Sequence, residues 1–175
     1  MKNCLILGAG RSGTSMAAGS LAKAGYFMGD NLIAVRKSNP KGFFEDVEVN
    51  MINEELLGYV VPGRKNLLGI EFLSSRPIEG QRWLSCVPLK TAISCPGHLS
   101  ERIRIMTSRE PFCLKDPRFS YTLSAWRPFL RNTVFVCVFR DPASTALSML
   151  KECRKASYLK SLKMSFARAL NVWRM

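Results

Sequence analysis

The chain has 175 residues and a mass of 19.7 kDa, a length that favours one domain spanning 1–175 with a sizeable core. Hydrophobic residues make up 47% and charged residues 22%, which excludes a disordered, collagen-like or coiled-coil chain. Charge is the unusual quantity: 26 Lys and Arg against 13 Asp and Glu give +13 and a pI near 9.9, so an anionic partner is expected, with nucleic acid, anionic membrane and phosphate-rich small molecules all open.

In chain order, Asn3 to Leu7 reads as a buried strand, followed by a glycine-rich turn and a helical run from Thr14 to Ala24. Asn39-Pro40-Lys41-Gly42 breaks the chain, and Glu45 to Leu57 carries apolar residues at amphipathic-helix spacing. Residues 58–97 hold several Pro and Gly without a period and read as loops with short elements. Pro111 to Leu114 is a short buried strand entering Lys115-Asp116-Pro117-Arg118, and Ser120 to Leu130 is helical apart from Pro128. Thr133 to Phe139 is β-branched, aromatic and apolar after its first residue, as expected of a strand buried on both faces of a parallel sheet. Pro142 opens a helix through about Lys155. A last helix places Leu159, Leu162, Phe166, Leu170 and Trp173 three or four apart. Strands alternating with helices predict a three-layer α/β fold with a mainly parallel central sheet, in which ligands bind beyond the strand C-termini.

Six cysteines without a C-x-x-C pair, and a single histidine, give no reason to expect a metal site. Cys4, Cys113 and Cys137 lie in apolar runs and read as reduced core residues. The apolar start is too short for a signal peptide and no segment approaches the ~20 residues of a membrane span, so a soluble, cytoplasmic protein is expected.

Gly8-Ala9-Gly10-Arg11-Ser12-Gly13-Thr14-Ser15 leaves a strand and enters a helix, so backbone N–H groups and the positive helix end converge on one point, an anion site. As G-x-x-x-x-G-x-S it approaches a nucleoside-triphosphate loop, but Thr14 stands where the phosphate-binding lysine belongs, which argues against an ordinary kinase. As G-x-G-x-x-G it fits a dinucleotide turn, with Asp30 at about the ribose-binding distance but in an apparent loop, so an NAD-dependent oxidoreductase stays open on weak evidence. A tight turn that binds nothing is the remaining structural alternative.

Arg11-Ser12-Gly13-Thr14-Ser15 resembles the phosphosulfate loop of sulfotransferases that use 3′-phosphoadenosine 5′-phosphosulfate (PAPS), where Lys or Arg precedes Ser-Gly-Thr. Phe139-Arg140-Asp141-Pro142, with Ser148 eight residues beyond Arg140, is similar to that family's clamp on the donor's 3′-phosphate, and Lys115-Asp116-Pro117-Arg118 resembles a stretch of its bacterial members. The resemblance implies a P-loop-like fold, PAPS as donor and no obligatory metal. It gives Arg11, Ser12, Gly13, Thr14 and Ser15 to the 5′-phosphosulfate and Arg140 and Ser148 to the 3′-phosphate. Lys115 and Arg11 then stabilise the leaving phosphate, Arg118 positions donor or acceptor, and Asp116 orients these cations. In Gly42-Phe43-Phe44-Glu45-Asp46, similar to the family's Gly-aromatic-Glu segment, Glu45 is the expected base, shielded from water by the two aromatics, with Asp46 as its rival or as a helix N-cap. His98, expected in a loop outside every motif, is the weaker candidate.

The family usually continues past the point where this sequence stops, so a C-terminally short sulfotransferase-like domain is expected, with the apolar face of 159–173 exposed. The acceptor is expected to be a small molecule, carbohydrate or lipid-linked hydroxyl, its pocket drawn largely from residues 58–110. The rival from another class is a non-catalytic basic protein that binds nucleotide or nucleic acid. Seven basic residues against one acidic after position 150 would suit it, but no nucleic-acid module or aromatic stacking pattern accompanies them.

Overall fold

A computed structural model describes residues 1–36, 39–61, 66–67, 70–71, 77, 80–88, 90–155 and 166–174. Their elements are β1 (Asn3–Leu7), α1 (Thr14–Lys23), α2 (Val47–Gly58), β2 (Asn66–Leu67), β3 (Ile70–Glu71), α3 (Gly97–Met106), β4 (Cys113–Lys115), α4 (Phe119–Trp126), β5 (Thr133–Cys137), α5 (Pro142–Lys155) and α6 (Phe166–Trp173). The chain is α/β. β1 lies between β4 and β5 in a parallel sheet of order β4-β1-β5, with Cys4 opposite both Cys113 and Val134; β2 and β3 form a separate antiparallel pair.

The period-two alternation of β1 sends its side chains to opposite faces. Cys4 and Ile6 pack with Cys113, Ala18 and Met28 on the α1 side. Leu5 joins Leu114, Val49, Ile52, Leu56, Leu99, Ile103, Phe119 and Trp126 on the side of α2, α3 and α4. Burying Leu5 and Ile6 completely contributes about 1.5–3 kcal/mol each, which fixes β1 in register against both layers. α5 and α6 pack on each other through Ala146, Met149, Cys153, Ala169 and Val172, with Leu84 and Ala9 in the same cluster.

Four expectations change. β5 ends at Cys137 and is not buried on both faces: it is an outer strand of the described sheet, with Val134 39% and Phe135 44% exposed, and an apolar run looks the same in a central strand and at a sheet edge. Cys137 is accordingly exposed, whereas Cys4 and Cys113 are buried. His98 is not in a loop but in the first turn of α3, which Pro96 and Gly97 open with turn residues that hide the Leu99, Ile103, Met106 spacing. Finally, Ala169 and Val172 of α6 are buried against α5, so this part of the last helix does not present an open apolar face; Leu159 and Leu162 lie outside the described residues. Among the described residues no helix is long and apolar enough to cross a membrane.

Candidate functional site

The C-terminal ends of β1, β4 and β5 open onto one cavity of about 830 Å³, whose lining includes Arg11, Gly13, Thr14, Ser15, Glu45, Lys115, Arg118, Arg140 and Ser148. Three motifs spread over more than 130 residues of sequence therefore meet at one place. The size falls within the usual range of small-molecule sites, about 300–1,000 Å³.

The loop after β1 reaches its shape through residues in the left-handed region: Gly13 at φ 103° and, unusually for a side-chain-bearing residue, Arg11 at φ 73°. Gly13 leads into α1 with no side chain capping the helix, so the first-turn N–H groups of Thr14 and Ser15 face the cavity without a side-chain acceptor. Ser12 turns inward. Its hydroxyl donates to the Ala9 carbonyl at 2.6 Å and its amide bonds the same oxygen at 3.3 Å, so Ser12 holds the loop closed and does not line the cavity. Gly10 allows Trp83 to lie against the loop: a Cβ there would fall 2.7 Å from the indole ring.

Alternation along β4 directs Lys115. Cys113 packs on the α1 side, and two residues later Lys115 points the same way, where its ammonium bonds Ser15 Oγ at 3.3 Å. A cation absent from position 14 is thus supplied to the N-terminus of α1 by the neighbouring strand. The same ammonium is paired with Glu45, whose carboxylate also accepts from Asn50 Nδ2 at 3.2 Å; the Lys115 side chain is only 2% exposed and that of Glu45 11%. Phe43 lines the cavity beside Glu45, whereas Phe44, at φ 54°, turns away and packs over Gly19 of α1. One aromatic and one ammonium surround the glutamate, where the sequence led us to expect two aromatics. The non-glycine residues at positive φ are Arg11, Phe44 and Asn132 among the described residues; the first two flank this site, where backbone strain costing about 1–3 kcal/mol per residue often collects.

Asp46 is not at the site. It caps α2, accepting from Glu48 N at 2.8 Å and Val49 N at 3.3 Å, and holds Asn31 N at 2.9 Å. Asp116 and Arg118 turn from the sheet toward α2. Arg118 Nε lies 2.6 Å from Glu54 Oε1, and its Nη1 reaches Asp116 at 3.1 Å and Asn50 Oδ1 at 3.1 Å. Burial opposes the charge on Arg118, but Asp116, Glu54 and Glu45 more than offset it and hold the guanidinium more firmly protonated than usual. Asp116 is fully buried, and that burial, reinforced by the Glu45 charge and opposed by Arg118, pushes its carboxyl up to about 6. Asn50 Nδ2 also donates to Asp116 at 2.6 Å, so a single α2 side chain ties Asp116 to Glu45.

At β5, the Arg140 side chain lines the cavity and its carbonyl accepts from Trp173 Nε1 at 3.1 Å, which fastens α6 over the strand end. Asp141 caps α5, accepting from Ser144 N at 2.8 Å, an interaction that holds its carboxyl below the usual range. Ser148 lies one turn further along α5 and accepts from Arg11 Nε at 3.1 Å, so the first and last motifs are in contact.

Sequence reasoning missed several lining groups. Asn50 and Gln81 supply amides, Trp83 an aromatic face, and Glu152 a carboxylate one helical turn beyond Ser148. Glu54 positions the 80–83 segment by accepting from Gly80 N and Arg82 N, each at 2.9 Å. The available signal was Asn50 and Glu54 four apart on an otherwise core-facing helix, where buried polar groups need partners. Two other candidates fall elsewhere. Asp30 has an 84% exposed side chain paired with Arg109 at 3.2 Å, outside the cavity lining. His98 pairs with Glu55 on an exposed face, a contact that holds the Glu55 carboxyl below its usual range.

Compared with family models, with curated proteins and with solved structures, the chain has no match in any of the three.

Proposed function

We propose that the protein is a PAPS-dependent sulfotransferase of P-loop-like fold, which moves a sulfuryl group from 3′-phosphoadenosine 5′-phosphosulfate to an acceptor hydroxyl. The observation that carries this reading is the convergence of Arg11, Ser15, Lys115, Arg140 and Ser148 on one cavity, with Glu45 in contact with Lys115. The residues fit such a donor. The uncapped α1 N-terminus, Arg11 and the Ser15 hydroxyl match a phosphosulfate, while Arg140, beyond the β5 end, and Ser148, in contact with Arg11, match a second phosphate.

The donor supplies an activated sulfur whose leaving group is a phosphate. Glu45 takes the acceptor's hydroxyl proton while the acceptor oxygen bonds to sulfur; the bond from sulfur to the bridging oxygen breaks, and its electron pair stays on the departing phosphate. Lys115 and Arg11 stabilise that charge, and the Lys115 contact to Glu45 sets base and leaving-group cation side by side. Arg118, engaged by Glu54 and Asp116, acts as a positioning residue in the cavity wall.

Titration with adenosine 3′,5′-bisphosphate tests the reading. Binding without magnesium is expected, weakened about 10-fold or more in Arg140→Ala through the loss of a charge-assisted contact. Preference for magnesium-ATP or NAD, or salt-sensitive binding of nucleic acid with no nucleotide affinity, would overturn it.

A further inference from the structure

The walls beside Glu45 differ in chemistry from those around the glycine-rich loop. Ile33 is held directly against the base, its amide bonding the Glu45 carbonyl at 2.8 Å, and both Ile33 and Phe43 line the cavity. Met16, next to Ser15 on α1, lines it too and is 79% exposed. Leu32 and Val35, on the same segment as Ile33, are 41% and 62% exposed, so apolar surface continues outward from this wall.

The polar side chains at this end are already committed. Asn39 donates to Ser15 Oγ at 3.1 Å, and Asn50 donates to Glu45 and Asp116 while accepting from Arg118. Arg36 lines the cavity from an exposed position, and apart from the Lys115 and Asn50 contacts the wall beside Glu45 is made by Ile33 and Phe43. A sugar entering here would place several hydroxyls against Ile33, Phe43 and Met16, each losing water without gaining a partner. An apolar body would gain from the same contacts.

We infer that the acceptor is an alcohol with an apolar body, its hydroxyl at Glu45 and its body along Ile33, Phe43 and Met16, and not a free sugar. The inference rests on the sulfuryl-transfer reading for the reaction, but the binding preference can be measured without donor.

Calorimetric titration of the full chain with n-octanol and with methyl glucoside should give at least about 10-fold tighter binding of octanol. Phe43→Ser should weaken octanol about 10-fold and leave affinity for adenosine 3′,5′-bisphosphate within about two-fold. Should Phe43→Ser fail to fold, Met16→Gln, at an exposed helical position, should weaken octanol about three-fold with the fold intact. Equal or tighter binding of the glucoside, or octanol binding indifferent to these substitutions, overturns the inference even where the bisphosphate binds. Octanol binding that is lost in Phe43→Ser or Met16→Gln, in a protein that does not bind the bisphosphate, supports this site and removes only the sulfotransferase reading.

Discussion

Replacing Glu45 by Gln separates the catalytic part of the reading from its structural part. The carboxylate accepts two hydrogen bonds, one on each oxygen: Lys115 needs an acceptor and so does Asn50 Nδ2, at 3.2 Å. A glutamine offers one acceptor oxygen, so one of the two contacts becomes donor facing donor, and Lys115, 2% exposed, loses its counter-charge. Truncation to alanine would break a buried pair at about 3–5 kcal/mol, a large part of a typical 5–15 kcal/mol total. The glutamine variant keeps volume and one hydrogen bond and should cost about 2 kcal/mol, or about 4–8 °C in Tm for a chain of this size. The protein then stays folded, and affinity for adenosine 3′,5′-bisphosphate should change little, since Glu45 faces the acceptor. Turnover is another matter: release of the bisphosphate from donor, followed with a panel of alcohols, should fall about 10²–10⁴-fold. Turnover within about three-fold of the unaltered protein, with bisphosphate binding retained, would refute Glu45 as the base.

Asp116→Asn tests the raised carboxyl. Its folded value of about 6 lies above the ordinary 3.8, so the folded state binds the proton more tightly and stability from this group grows as pH falls through 6 toward 4. Urea unfolding should therefore show the unaltered protein gaining about 1 kcal/mol over Asp116→Asn between about pH 7 and pH 5, and a constant difference would refute the shift. Arg118→Met leaves Asp116 buried without its cation and Glu54 with Arg82 alone, at 3.2 Å, and should cost about 3–5 kcal/mol by the same assay; a loss below about 1 kcal/mol would mean the pair with Asp116 is not structurally required. Gly10→Ala forces the Trp83 ring away from the loop, because the new methyl would lie 2.7 Å from it; affinity for adenosine 3′,5′-bisphosphate should fall about 10-fold by calorimetry, with unfolding stability changed by only about 1 kcal/mol. Glu152→Gln removes a carboxylate from the cavity and should tighten that bisphosphate about 3–10-fold, more at low ionic strength, and weaker binding would refute its placement as a repulsive group.

Much of the architecture could be read from local pattern. Pro142 marked the start of α5, and Thr14 that of α1, because proline and the glycine-rich turn leave chemical signatures at helix starts. The site residues were legible as three strand ends. Their pairwise contacts were not, since Lys115 meets Ser15 and Glu45 only through the β1/β4 register and the packing of residues 39–46 on α1. Asp46 was readable as a cap from its position before an apolar-periodic run, and it is one. The edge position of β5 was hidden because Val134 to Phe139 has the composition of a central strand and nothing local reports how many neighbours a strand has. Glu54 was hidden because it acts on residues 80–82, far along the chain.

The contacts also revise what the strong positive charge does at the site. Five cations line the cavity, Arg11, Arg36, Lys115, Arg118 and Arg140, yet Lys115 is matched by Glu45, Arg118 by Glu54 and Asp116, and Glu152 lies among the rest. The site is therefore far closer to neutral than its five cations alone suggest. On the proposed reading, a donor bearing two phosphate groups and a sulfate would be held less by net charge than by directed groups: the N–H groups of Thr14 and Ser15, the α1 dipole, and the fork of Arg11 beside Ser148. Directed donors at a nearly balanced site favour an anion of one shape over anions in general. On the proposed reading, two-point recognition at α1 and at Arg140 would discriminate a bisphosphate nucleotide from a lone phosphate or a nucleic-acid backbone more sharply than the overall +13 could. A net of +6 falls after position 150 in the sequence, where the described Lys151, Arg154 and Arg174 are not part of the cavity lining, so salt should remove any steering by these three before it weakens the directed contacts.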